Sequence, residues 1–112
     1  MAVKNVYSIY LPFILMAMPA VSVVVCTRNR AAHLQKCLAS LLNQSFKPKE
    51  IIIVDDASDE KDFVKAMNSV TGSFKSQATH ANIIYLRNKR RQGVTKSRNL
   101  GIAASSGEII AF

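Results

Sequence analysis

A chain of 112 residues, 49% of them apolar, is long enough for one hydrophobic core and too short for two domains of ordinary size. Its formal charge of +8 is uneven: no acid precedes Glu50, and Arg87, Lys89, Arg90, Arg91, Lys96 and Arg98 share a window free of acids, which calls for an anionic partner, phosphate first. Two cysteines, Cys26 and Cys37, exclude a disulfide framework and a CxxC motif and fit a reducing compartment, while His33 and His80 lack partners at zinc-ligand spacing.

The first element in chain order is an apolar leader. Residues 6–18 are almost wholly apolar with only Lys4 before them, and Met18, Pro19 and Ala20 make a poor signal-cleavage site. A membrane span of about 20 residues is reached only by borrowing residues 21–26, and Pro12 and Pro19 interrupt it. The expectation is an extension over 1–18 that packs on the domain or stays unstructured, with weak membrane association through 6–18 as the alternative. One α/β unit follows over 19–112.

Residues 21–26 are a β-branched run, and the stripe Leu34, Cys37, Leu38, Leu41 and Leu42 within 31–42 predicts an amphipathic helix. Pro48 sits in the connection to a second strand over 50–54, after which Asp59 can cap a helix carrying Phe63, Val64, Met67 and Val70. A polar stretch over 71–81 leads to a third strand at 82–86. The basic loop 87–92 then passes through Gly93 into a helix over about 95–105, whose small residues Ser97, Gly101, Ala104 and Ser105 would let its backbone approach the sheet. A fourth strand starts at Glu108 and contains Phe112, so the chain is expected to be cut short within it. This alternation predicts an α/β fold, a Rossmann-like parallel sheet with helices on both faces.

Four branched residues, Ile51 to Val54, end abruptly in Asp55 and Asp56, which places carboxylates at a strand tip where open α/β sheets bind ligands. Neighbours in a strand face opposite ways, so one acid is expected at the ligand and the other in the structure rather than both on one metal ion. The first turn, Cys26-Thr27-Arg28-Asn29-Arg30, has no glycine; GxGxxG and GxxxxGK[ST] are both absent, which disfavours dinucleotide and Walker-type ATP sites. A strand-tip acid, a polar first turn and cations ahead of a helix outline a nucleotide diphosphate site. Arg98, near the start of the third helix, is expected to face that ligand, and the run from Arg87 to Arg91 to be mostly a solvated loop.

The segments PAVSVVVCTRNRAAHLQKCLASLLNQSF, EIIIVDDASDE and GVTKSRNLGIAASSGEIIAF, in this order, resemble the family-two glycosyltransferases, which have the GT-A fold. The resemblance covers 19–112 and implies that the chain is the nucleotide-sugar-binding part of an enzyme that transfers a sugar from a nucleoside diphosphate to an acceptor hydroxyl. By it Asp56 should contact the base, Cys26 and Thr27 should line the nucleotide pocket, and Arg98 should sit near the nucleotide or its diphosphate. Cys26 stands where the family commonly has proline, and Arg28 where it has an aromatic residue. The family's DxD motif, which holds a divalent cation, Mg or Mn, would fall just after Phe112, with the catalytic base and acceptor-binding half further on. No catalytic or metal-binding residue is therefore assigned within the chain, and the polypeptide alone is expected to be inactive. A cytoplasmic protein, at most at the cytoplasmic face of a membrane, is the expected setting.

The competing reading keeps the fold but makes the chain a noncatalytic anion-binding module that uses 87–98 on nucleic acid or an anionic membrane surface. Only Tyr85 stands near the cations, whereas nucleic-acid surfaces interleave aromatic residues, so nucleic acid is the weaker partner.

Overall fold

The computed structural model describes residues 19–74 and 81–112; the leader assigned to 1–18 lies outside the described residues. Four strands, β1 (Val21–Thr27), β2 (Glu50–Asp55), β3 (Asn82–Arg87) and β4 (Ile109–Ala111), pair in parallel in the order β3-β2-β1-β4. The central strand β2 is buried along its whole length, which explains its unbroken run of branched residues: both faces need apolar cover. Val24 pairs with Ile52 and Ile52 with Ile84, so the three longer strands are in step and end together.

Helices α1 (Ala31–Leu42) and α2 (Glu60–Ser69) cover one face, α2 running on into a wider turn over Val70–Phe74. Their core joins Ala31, Leu34, Leu38, Ala66 and Val70 to Ile51 and Ile53. Helix α3 (Val94–Ala104) lies on the other face, over Val24, Ile52 and Val54. The chain steps from β1 to β2 to β3 in one direction, then returns across the sheet to place β4 beyond β1. That reversal makes the carboxyl end of β1 the topological switch point, where sheets of this kind open a crevice.

Three details depart from the sequence expectation. In α2 the buried residue is Ala66 and Val64 is 47% exposed, while Val70, also buried, lies in the turn that follows. In α3 the buried stripe narrows to Ser97 and Gly101, while Ala104 is exposed. A Cβ on Gly101 would lie 2.3 Å from Val24 Cγ1, so glycine sets how closely α3 approaches the sheet. Phe112 lies just past β4 and is 67% exposed rather than a strand residue. Among the described residues no helix is long and apolar enough to cross a membrane.

Candidate functional site

Alternation along β2 sends its two terminal acids to opposite faces. Asp55 follows Ile51 and Ile53 to the side of α1 and α2, and its Oδ1 accepts from Ser58 N–H at 2.9 Å, its Oδ2 from the Tyr85 hydroxyl at 2.6 Å. Burial, then this bond, pushes the Tyr85 phenol up, so it stays a donor. The turn that returns Ser58 to Asp55 puts Ala57 in the left-handed region at φ 58°. Ser58 Oγ in turn accepts from Asn29 N–H, and Asn29 Oδ1 from Asp59 N–H, lacing the β1–α1 turn to the β2–α2 turn. Asp59 caps α2 by accepting from Asp62 N–H, as its position predicts, and Asp62 reaches across to accept from Ala31 N–H at the start of α1. Asp55 therefore builds the rim and does not line the opening.

Asp56 follows Ile52 and Val54 to the side of α3. Its Oδ1 accepts from Gln92 N–H at 2.7 Å and Asn88 Nδ2 at 3.0 Å, and its Oδ2 from Gly93 N–H at 2.9 Å. Gly93 adopts φ 91°, a conformation side chains disfavour, which lets two successive amides converge on one carboxylate. Burial alone would raise the Asp56 carboxyl, but the donors Gln92, Asn88 and Gly93, with the charge of Arg91, hold it below the usual carboxylate range. A carboxylate has about four acceptor sites. Three are taken, and the one left is on Oδ2.

Asp56 forms part of the wall of a cleft of about 450 Å³, lined also by Cys26, Thr27, Arg28, Arg30, Arg91, Gly93, Val94 and Ser97. It lies at the switch point, between the tips of β1 and β2 and the start of α3. No side chain caps α3, so its first-turn amides keep their attraction for an anion. Arg28, Arg30 and Arg91 are exposed, and among the described residues the only ion pair lies elsewhere, between Arg87 and Glu60 at 3.4 Å. The Cys26 thiol is pushed up, chiefly by burial, against the lowering influence of nearby Arg98; it is a neutral wall residue at pH 7.

The structure thus brings Cys26, Thr27 and Asp56 to one cleft. Arg98 does not line it: its guanidinium lies 5.7 Å from the centre of the Phe112 ring, on an exposed flank of α3, close enough only to act on Cys26 through its charge. The cations that do line the cleft are Arg28 and Arg30, which flank Asn29 in the first turn, and Arg91 from the basic loop. Arg87 is held by Ser58 O, Glu60 and the face of Phe63, while Lys89, Arg90 and Lys96 stay exposed outside the cleft. Neither acid of the pair suits a divalent cation: they point apart, each is already bound by donors, and no cluster of three ligating side chains occurs among the described residues.

Comparison with known proteins agrees with this geometry. The model of glycosyl transferase family 2 matches residues 22–112. A β-1,3-glucosyltransferase of Campylobacter jejuni that acts on GalNAc(5)-diNAcBac-PP-undecaprenol is 35% identical over 97 residues, 85% of this chain and 29% of that protein. Glycosyltransferase AglE of Haloferax volcanii is 33% identical over 98 residues, 85% of this chain and 30% of that one. Among solved structures, a mannosyltransferase of Pyrobaculum calidifontis in complex with GDP-mannose and Mn2+ superposes with a TM-score of 0.68 at 23% identity, covering 82% of this chain and 26% of its own. The likeness in structure shows the GT-A fold. The chain spans less than a third of the length of the curated relatives named here.

Proposed function

This chain belongs to glycosyl transferase family 2, and from that premise we propose that its strand-tip cleft binds the nucleoside diphosphate of an activated sugar. The observation that carries the reading is convergence: Asp56, three arginines with no ion-pair partner among the described residues and an uncapped helix start meet in one cleft. Each part has a matching group on the ligand. The remaining acceptor site of Asp56 suits a base N–H or a ribose hydroxyl, while Arg28, Arg30, Arg91 and the first-turn amides of α3 suit the diphosphate. The whole enzyme would transfer the sugar to an acceptor hydroxyl. The solved mannosyltransferase is described with Mn2+, and a divalent cation would stabilise the departing diphosphate there; residues 19–74 and 81–112 do not themselves offer its ligands. The acceptor-activating carboxylate is likewise assigned to none of them, so the isolated polypeptide should bind donor without turning it over.

Titration calorimetry of the full chain with uridine and guanosine diphosphates tests this. Saturable binding of one of them, weakened at least about 100-fold in Asp56→Ala, supports the reading; binding unchanged by that substitution removes its basis.

The exposed cations Lys89, Arg90 and Lys96 lie outside the cleft and favour a second reading, attraction to a polyanion such as nucleic acid or an anionic membrane. That attraction would fall steeply with salt and ignore Asp56→Ala. Two free cysteines fit a reducing setting, so we place the protein in the cytoplasm, with residues 6–18 as its contact with any adjoining membrane.

A further inference from the structure

Asn88 has no role in the reading above, yet its side chain hydrogen-bonds both the strand-tip acid and the helix. Its backbone N–H donates to Asp55 O at 2.8 Å, extending β3 by one bond beyond Arg87. Its side-chain Nδ2 then donates twice, to Asp56 Oδ1 at 3.0 Å and to Ser97 Oγ at 3.1 Å. Ser97 is 1% exposed and sits on the face of α3 that presses on the sheet. An amide nitrogen carries two hydrogens, and both are used.

We propose that Asn88 is a positioning residue of the nucleotide cleft: by bridging Ser97 to Asp56 it fixes the carboxylate so that Oδ1 is saturated and the free acceptor site on Oδ2 is the one offered to the ligand. The proposal rests on the nucleotide reading above and adds a selectivity to it. With Oδ1 satisfied by Asn88 Nδ2 and Gln92 N–H, the acid can accept one further hydrogen bond and can donate none. A base that presents an N–H is recognised; one that presents only a ring acceptor there is refused, because two acceptors would face each other. Uracil, through its N3–H, and guanine, through its N1–H, belong to the first group; cytosine has an acceptor at N3 and can meet the acid only by turning its exocyclic amino group toward it, so it should bind more weakly. Without Asn88 the Gln92 and Gly93 amides still hold one oxygen each, but an acceptor site opens on Oδ1, the carboxylate is less firmly fixed and the discrimination weakens. The diphosphate, gripped by Arg28, Arg30 and Arg91, should not sense the change.

The test uses the full chain and four probes, uridine, guanosine and cytidine diphosphates and inorganic diphosphate, titrated into wild type, Asn88→Ala, Asn88→Asp, Asp56→Ala and the double variant Asp56→Ala/Asn88→Ala. Asn88→Ala should weaken the better of the two N–H-bearing nucleotides about tenfold and leave inorganic diphosphate within about twofold. Asn88→Asp, close in shape but with an acceptor facing Asp56, should weaken it at least as much. In the Asp56→Ala background the loss of Asn88 should have no further effect, since the residue acts through that acid. Two results overturn the proposal while leaving the nucleotide reading intact: Asn88→Ala binding the nucleotide as wild type does, or losing nucleotide and inorganic diphosphate in parallel. Wild type that binds no nucleotide, or binds it equally with and without Asp56, removes both. A far-ultraviolet circular dichroism melt of each variant separates local from global loss, and Ser97→Ala, which cuts the same bridge from the other side, should reproduce the selective effect if Asn88→Ala fails to fold.

Discussion

Acids are buried at both ends of β2, Glu50 at the amino end and Asp55 with Asp56 at the carboxyl tip, and of these only Asp56 faces an opening. At the amino end Glu50, 5% exposed, accepts on Oε1 from Ser22 Oγ at 2.7 Å, Ser106 N–H at 2.6 Å and Ser106 Oγ at 3.1 Å. Gly107 N–H donates to the same Ser22 Oγ, and a Cβ there would meet it at 2.5 Å. At the carboxyl end Asp56, 7% exposed, has three donors as well. Against the upward push of burial, donated hydrogen bonds hold both acids below the ordinary carboxylate range. Burial, satisfaction and a lowered pKa are therefore shared and cannot mark function. What differs is the surroundings: Glu50 clasps the α3–β4 turn to the sheet, whereas Asp56 borders a cleft with three arginines.

The sharpest way to break this contrast is to remove each acid and read two properties. Asp56→Ala should raise the nucleotide Kd at least about 100-fold, since a charged acceptor and the order of the 92–93 turn go together. Glu50→Ala should leave that Kd within about twofold but cost about 2–3 kcal/mol of stability, because the buried Ser22 hydroxyl is left without its acceptor and the Ser106 amide and hydroxyl lose theirs. Calorimetric titration and urea unfolding measure the two. A large loss of binding in the Glu50 variant would erase the distinction.

Next in size is Gly101→Ala, which tests the approach of α3 to the sheet. With Val24 Cγ1 2.3 Å from the new Cβ, overpacking should cost about 1–3 kcal/mol in urea unfolding. Both ends should also respond to acid in one sense. Each acid has a folded pKa below its unfolded value, so its contribution is complete above the ordinary carboxylate range, about pH 4, and is lost as pH falls through the folded value. Unfolding midpoints measured below pH 5 should fall more shallowly in Glu50→Gln than in wild type. The smallest effect belongs to Ala57, in the left-handed region at φ 58°. Ala57→Gly should stabilise by about 0.5–1 kcal/mol by relieving that backbone cost, with binding unchanged.

Much of the fold could be read from residues alone because its signals are local. The stripe through Leu34 and Leu38 and the branched run through Ile51 to Val54 each report one element against one core, and α1 falls on 31–42 as expected. The split between Asp55 and Asp56 follows from the two-residue period of a strand. The cleft's cations were harder to read. Arg28, Arg91 and Arg98 look alike in sequence, and the long arginine side chain is placed by what lies beside it in three dimensions: an open cleft for Arg28 and Arg91, the Phe112 ring for Arg98. Asn88 and the Glu50 clasp left no trace, since Asp56 lies 32 residues from Asn88 and Ser106 lies 56 from Glu50 in the chain. Polar bonds of that range have no periodicity to betray them.

The most direct measurement is a nuclear magnetic resonance titration of the 15N-labelled chain with uridine and guanosine diphosphates, which observes both ends of β2 at once. The account predicts saturable shifts of the Thr27, Gln92 and Gly93 amides with one of these nucleotides, while Ser106 and Gly107, around Glu50, stay still. Shifts centred on Ser106 and Gly107, or shifts confined to Lys89, Arg90 and Lys96 that vanish with added salt, would contradict it.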